Sequence, residues 1–389
     1  MSSGQKIKIA YLDYSHVFAG AERVLHTIIS TLDRNKYSPF LIFPYPEEHQ
    51  AGYNDLTDCK RIYLAPEKKW WMGSNRWKHP LPGTDMTART IWGMRLAYTL
   101  KKHKVDILHV NLLRPDSLMW IWPAKQSGIK IIGHFRSQAI EWIAPSSVQK
   151  QCDLILCVSR YSRDRMLSKG IHTKSSVLYD SIEISKFNAD SDSQKSRQDL
   201  QLPSDAIILA SVGQLSRHKG HDNAIQAFAK IATKYPKAIL YIAGGGADSQ
   251  YLKTLADNYP ILTGRIIFSN GQIPDVQKVY SAADVILTLT KVGEAFGLVP
   301  HEASLMNKPF IGPDKGAVLE FIRDGYNGML VDTNNVDAIA NKIDWALSHP
   351  KECHNMVGKA RELVMQQLTP KVMIGNLHNT YNQIMNRDN

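Results

Sequence analysis

What the chain lacks narrows it first. No apolar run approaches the ~20 residues that a membrane-spanning helix needs, so a helical span is not expected. Only four cysteines occur in 389 residues (Cys59, Cys152, Cys157, Cys353), and they show no metal-ligand spacing. A disulfide scaffold and a cysteine-based zinc site are thereby excluded. Cys157 falls in the strand-like run DLILCVS, where a thiol is ordinarily a buried structural group. Short internal repeats and low-complexity tracts are absent, which argues against a solenoid. Lys6 and Lys8 precede a short apolar stretch with no small-residue cleavage site after it. A secretory leader is therefore not expected, and the cytoplasm is the expected compartment. An RNP motif, a zinc finger and a basic DNA-reading helix are also missing, so no nucleic-acid partner is expected.

What is present suits a soluble globular protein, with 43% hydrophobic and 21% charged residues. The length exceeds one ordinary core and fits two domains. A net charge of +11 is unevenly placed: residues 1–180 hold 26 Lys/Arg against 15 Asp/Glu, whereas residues 181–389 hold 21 of each. The whole excess lies in the first half, where a basic face suits nucleic acid, an anionic membrane or a phosphorylated ligand.

Strand-like runs alternate with helical patterns through that half: KIAYL, FLIF, DILHV, IKIIGHF, DLILCVS and SSVLYD, with helices over Gly20–Leu32 and Met86–His103 between them. The polar stretch 185–205 breaks the rhythm. A second alternation follows in AIILASVG, AILYIAGGG, RIIF, DVILTLT and GMLVD. The pattern predicts an α/β protein of two Rossmann-like, doubly wound parallel-sheet domains facing across a cleft. The expected boundaries are 1–184, a linker over 185–205, and 206–370, with a helix over about 371–389 crossing back to the first domain.

The strongest chemical signal is GEAFGLVPHE, in which Glu294 and Glu302 stand eight positions apart. Glu294 falls in the loop leaving the strand DVILTLT. Pro300 suits the first turn of the next helix, and Glu302 falls in that turn. Gly297 lets backbone approach a ligand, while the helix start offers free amides and the positive end of its dipole. A loop carboxylate beside an amide cradle can hold sugar hydroxyls and a diphosphate together. The second signal, SVGQLSRHKGHD, runs strand, glycine, basic loop and helix. Lys219 beside Gly220 is well placed to neutralise a diphosphate leaving group.

Both segments resemble glycosyltransferase family 4, of the retaining GT-B type. Its E-x7-E hallmark, EAFGL-x-x-x-E, matches Glu294 and Glu302, and its VGRL-x-x-x-KG pattern matches Lys219. Gln214 stands where the family has arginine; Arg217 is the expected substitute. The resemblance implies that Glu294 holds donor-sugar hydroxyls, Glu302 the ribose, and the amides of Phe296, Gly297 and Leu298 the sugar and phosphates. IAGGGADSQYL resembles the glycine-rich loop of the donor domain, which includes Gly244. IIFSNGQIPDVQKVYSAADV resembles the segment lining the base, with Gln272 and Ile273 in the contacting position. GAVLEFIRDGYNGMLV resembles the GG-x-x-E-x-I-x-x-G-x-x-G-x-L stretch, with Ala317 in place of the second glycine, and VLYDSIEISKF the V-x-x-NGID hinge, with Asp180-Ser181 for Asn-Gly.

In the first half HVFAGAERVL resembles the N-terminal glycine loop, with Gly20 toward phosphates and acceptor. DILHVN and GHFR end strands in polar clusters at the binding edge, adding His109 and Arg136. The resemblance assigns His134 a hydrogen bond to the donor sugar. It implies transfer of a hexosyl unit from a UDP- or GDP-sugar, with Glu294, His134 and Lys219 as the catalytic group and with no metal or other cofactor. A nucleotide-sugar epimerase of the same fold is the rival reading, and a basic nucleic-acid-binding protein a more distant one. Residues 66–104 interleave Trp70, Trp71, Trp77 and Trp92 with Lys68, Lys69, Arg76, Lys78, Arg89, Arg95 and Lys101. That mixture suits docking on an anionic leaflet and a lipid-linked or lipopolysaccharide acceptor, and equally a sugar-stacking platform or core packing.

Overall fold

A computed structural model describes residues 6–15, 18–44, 48–64, 84–137, 143–169, 173–269, 271 and 275–385. The chain divides into two compact units, Met1–Ser181 with Pro370–Asn389, and Ile182–Thr369.

Among the described residues the first unit holds a seven-stranded sheet in the order β3-β2-β1-β4-β5-β6-β7, all pairs parallel. Its strands are β1 (Ile7–Leu12), β2 (Tyr37–Phe43), β3 (Lys60–Tyr63), β4 (Ile107–Val110), β5 (Lys130–Phe135), β6 (Leu154–Cys157) and β7 (Ser175–Val177). The second unit repeats the plan with six strands, in the order β10-β9-β8-β11-β12-β13. These are β8 (Ile207–Val212), β9 (Ala238–Ala243), β10 (Ile266–Phe268), β11 (Val285–Leu287), β12 (Phe310–Pro313) and β13 (Met329–Val331). Central runs such as ILHV, LILC and AILYIA are buried at every residue, as a parallel sheet covered on both faces requires. In each sheet the strand order reverses once, between β1 and β4 and between β8 and β11, and ligands bind beyond the carboxyl ends at such a reversal.

One face of the first sheet is closed by two helices distant in sequence. Gly20–Thr31 buries Val24, Leu25, Ile28 and Ile29, and Pro370–Met385 buries Met373, Ile374, Leu377 and Tyr381. Both pack into one core with Ile9, Tyr11 and Tyr37. No helix among the described residues is long and apolar enough to cross a membrane.

The stretch 185–205, expected as a linker, belongs to the second unit. It contains the helix Ser193–Asp199, N-capped by Asp192, whose carboxylate accepts from the amides of Gln194 and Lys195. This helix is held by an arginine rather than an apolar stripe, which is why periodicity did not mark it. The buried Arg197 guanidinium donates to the carbonyls of Ala282 (3.0 Å), Ser204 (2.8 Å) and Ala206 (2.9 Å), and to Asp284 Oδ2 (3.0 Å). Replacing Arg197 with Met strands those acceptors and should cost about 3 kcal/mol. Urea unfolding followed by circular dichroism checks this; an unchanged midpoint would refute it.

Candidate active site

In the second unit the chemistry gathers where β8 and β11 part. The loop after β8 turns at Gly220, in the left-handed region at φ 74°, and runs into the helix His221–Ile231. A Cβ on Gly220 would stand 1.9 Å from the Leu289 carbonyl oxygen, so the two strand exits can touch only because a side chain is absent. The Lys291 amide donates to the His218 carbonyl at 2.7 Å, and Lys291 Nζ pairs with Asp222 at 2.6 Å. Held this way, Lys219 Nζ donates to Glu294 Oε1 in an ion pair. Thr290 Oγ1 donates to the same oxygen at 3.1 Å.

The Glu294 backbone is pinned from β12's side, where the Ala317 amide donates to its carbonyl at 3.1 Å. Gly316, at φ 88°, has no room for a Cβ there, and a Cβ on Gly297 would stand 2.9 Å from Glu294 Oε2. Lys219 and Glu294, 75 positions apart, are thus fixed from three loops. Glu302 opens the helix Val299–Leu305 and accepts from the buried Tyr280 hydroxyl at 2.6 Å. The Phe296 ring is buried against His301 and Phe321. Gly297 and Leu298 continue the backbone into the helix.

Gly244 packs against the loop that follows β8. A Cβ there would stand 1.9 Å from the Gly213 carbonyl oxygen, and the Gly213 and Leu215 amides donate to Ala243 and Gly245 across the same junction. Gln214 is exposed, and its carbonyl faces His221 Nε2 at 3.2 Å. Arg217 is not brought to the Lys219–Glu294 pair: it meets Asp248 at 3.4 Å and lies over the Tyr251 ring. Gln272 and Ile273 lie outside the described residues.

In the first unit Gly20 opens its helix, and Glu22 caps it by accepting from the Ala19 amide at 2.9 Å. His109 and His134, on adjacent strands, are fully enclosed, and His109 Nε2 lies 3.3 Å from His134 Nδ1. Arg136 Nη2 lies 3.1 Å from that same Nδ1, and its Nη1 pairs with Asp180. Burial first, and then the Arg136 charge, push His134 well below the usual imidazole range and His109 down to about 3. Burial raises Asp180 even against Arg136. Sequence reasoning missed Tyr280 and Thr290, which hold the two glutamates, and Tyr381, which reaches His109 Nδ1 at 2.8 Å from the last helix. Tyr280 lies in the stretch that resembles the base-lining segment, whereas Thr290 and Tyr381 carry no local motif.

Trp92 is buried in the first unit's core, with Arg95 4.9 Å over its ring, so for this tryptophan the core-packing alternative holds. Trp70, Trp71 and Trp77, with Lys68, Lys69, Arg76 and Lys78, lie outside the described residues.

Residues 18–186 match the family described as Glycosyltransferase Family 4, and residues 192–363 the one described as Glycosyl transferases group 1. The chain belongs to glycosyltransferase family 4. The lipopolysaccharide 1,2-N-acetylglucosaminetransferase of Salmonella typhimurium is 32% identical over 179 residues, 44% of this chain and 47% of that enzyme. This family 4 chain thus matches about half the length of that relative. A GDP-mannose-dependent alpha-(1-6)-phosphatidylinositol monomannoside mannosyltransferase of Mycolicibacterium smegmatis is 23% identical over 71% of this chain and 76% of that enzyme. Anabaena HepE, crystallised with UDP, superimposes with a TM-score of 0.79 over 97% of this chain and all of that one, at 18% identity. The fold of this family 4 glycosyltransferase is GT-B.

Two buried histidines of the second unit make its stability depend on pH. His301 has no hydrogen-bond partner at either ring nitrogen, and burial depresses it to about 4. His221 is likewise brought to about 4, chiefly by burial. Unfolded histidines titrate near 6.5. Between about pH 6.5 and 4 the unfolded chain therefore binds protons that the native one does not. Stability is full above that window and falls with pH inside it, by about 1.4 kcal/mol per pH unit for each group at most. Urea midpoints at pH 7.5, 6 and 5 should fall in that order. His301→Leu, which removes no hydrogen bond of the ring, should flatten the dependence; an unaltered slope counts against this assignment.

Proposed function

We propose that the protein is a retaining, metal-independent hexosyltransferase. It moves a sugar from a UDP- or GDP-sugar to a hydroxyl of a lipid-linked, lipopolysaccharide or capsule glycan. The observation that carries this reading is the meeting of Lys219 and Glu294 at the strand reversal of the second sheet. One cation and one acceptor-rich anion side by side match the two parts of a nucleotide-sugar. Relatives named for N-acetylglucosamine and mannose transfer, and a neighbour solved with UDP, support it.

In this reaction the bond from the anomeric carbon to the diphosphate oxygen breaks, and its electron pair leaves with the diphosphate. Lys219 and the amides of Phe296, Gly297 and Leu298 stabilise that charge, so no metal is called on. Glu294 and His134 orient the sugar, and Glu302 accepts from the ribose. The acceptor oxygen attacks the face the diphosphate is leaving, and its proton passes to a departing phosphate oxygen. Gly20 and Arg136 line the acceptor and phosphate side, and the enclosed His109 stands behind His134.

Lys219→Ala and Glu294→Gln should each lower kcat about 10²- to 10³-fold with the fold intact. A donor panel read by mass spectrometry for released UDP or GDP, with and without EDTA, and NMR of the product anomer measure this. Wild-type rates in both variants would defeat the assignment; loss of turnover in EDTA would defeat metal independence.

A cytoplasmic-leaflet location belongs to the same reading. Ile91, Met94 and Tyr98 recur at helical spacing on Thr84–Lys102 and are 52%, 54% and 69% exposed, with Arg95, Lys101 and Lys102 on the same helix. Trp122, 51% exposed, stands on the neighbouring helix Leu118–Gln126. An exposed apolar stripe with cations beside it suits an anionic interface. The wild type should sediment with phosphatidylglycerol vesicles at low salt, and the double variant Ile91→Asp/Met94→Asp should stay in the supernatant. Absence of wild-type binding would end the leaflet location.

A further inference from the structure

His134 belongs to a buried chain of hydrogen bonds whose proton positions follow from one chemical fact. A guanidinium only donates. Arg136 Nη2 stands 3.1 Å from His134 Nδ1, so that nitrogen carries a lone pair. A neutral His134 then has its proton on Nε2. His109 Nε2, 3.3 Å from the same Nδ1, can bond there only as a donor, so His109 also carries its proton on Nε2 and a lone pair on Nδ1. The partner of that lone pair is the Tyr381 hydroxyl at 2.8 Å, which must donate. The Tyr381 oxygen in turn accepts from the Tyr11 hydroxyl at 3.0 Å. At the other end Arg136 is anchored by its ion pair with Asp180.

The free end of this chain is His134 Nε2. It is buried and has no hydrogen-bond partner, as are both amide atoms of Asn111, the next residue past the Val110–Gly133 pairing on the adjacent strand. A buried N–H without an acceptor is costly unless something else supplies one. Two such groups side by side at the carboxyl edge of a parallel sheet mark a place built for a polar ligand.

We propose that Arg136, His109 and Tyr381 are positioning residues that lock His134 as an Nε2–H donor, so that it offers a proton to a ligand oxygen and cannot serve as a base. The ligand half rests on the function proposed above, in which the oxygen is a hydroxyl of the donor sugar. The relay half stands on the first unit alone. It also gives the last helix a task in the site, through one hydroxyl.

The test uses the full chain labelled with ¹⁵N-histidine. Long-range ¹H–¹⁵N spectra at pH 7.5, assigned with His134→Gln and His109→Gln, should show both rings neutral and protonated on Nε2. In Tyr381→Phe, His109 should keep its Nε2 proton, still donated to His134, while its Nδ1 resonance moves because that nitrogen loses its donor. Arg136→Met should let His134 take its proton on Nδ1, and Arg136→Lys, which still donates, should restore Nε2–H. If Arg136→Met does not fold, Tyr381→Phe, which loses one oxygen, decides alone. A wild-type His134 that is cationic or protonated on Nδ1 overturns the relay, as does a His109 unmoved by Tyr381→Phe. Calorimetry with UDP-glucose, and with UDP as the control, reads the ligand half. Tyr381→Phe should weaken UDP-glucose about tenfold more than UDP. Equal weakening overturns the sugar contact while the spectra still judge the relay. A wild type that binds neither UDP-glucose nor GDP-mannose counts against the proposed function only.

Discussion

Close backbone contact between loops is the constraint on which the second unit's site depends. Lys219 and Glu294 belong to different strand exits, and they meet because Gly220 lies against the Leu289 carbonyl, where no Cβ fits. The same device recurs behind them, with Gly244 against Gly213, Gly246 against Leu215 and Gly316 against Glu294. Each contact joins two loops through atoms that cannot swing away. Side chains attached to such backbone inherit its rigidity, which suits charges that must be held preorganised. The glycines therefore form the frame of the site, and the charged residues are mounted on it.

That frame explains how much of the protein could be read before the fold was known. Buried parallel strands announce themselves as apolar runs, so β1, β4, β5, β6, β8, β9 and β11 were legible. Two strands were not. KRIY forms β3 at a sheet edge and carries charge, and FIGP forms β12 with a glycine and a proline in four residues. The helix Ser193–Asp199 escaped because one arginine anchors it. Among site residues, Glu294, Glu302 and Lys219 sit in local patterns and could be named. Their holders Thr290 and Tyr280, and Tyr381 on the helix beyond the second unit, act across the fold and leave no trace in spacing. Arg217 shows the opposite failure: the right charge in the right loop, turned instead to Asp248.

The two units use polar groups differently. In the second, Lys219 and Glu294 remain partly open to solvent, where water softens the cost of charge. In the first, the polar row runs inward through His109 and His134, both closed off, and the protein keeps them neutral. The one strong charge there, Arg136, is matched by Asp180. Neutral rings beside a single compensated cation let a hydrogen-bonded row persist in an apolar layer without isolated ions.

The return of Pro370–Met385 to the first unit bears on how the polypeptide is made. The core around Ile9, Tyr11 and Tyr37 is completed by Met373, Leu377 and Tyr381, which leave the ribosome only after the entire second unit. During synthesis the opening sheet must wait with one face incompletely covered, while the later-made unit has all its own segments at hand. Assembly therefore finishes at the half that was begun first, and shortening the chain before residue 370 would leave a hole in the fold's earliest part.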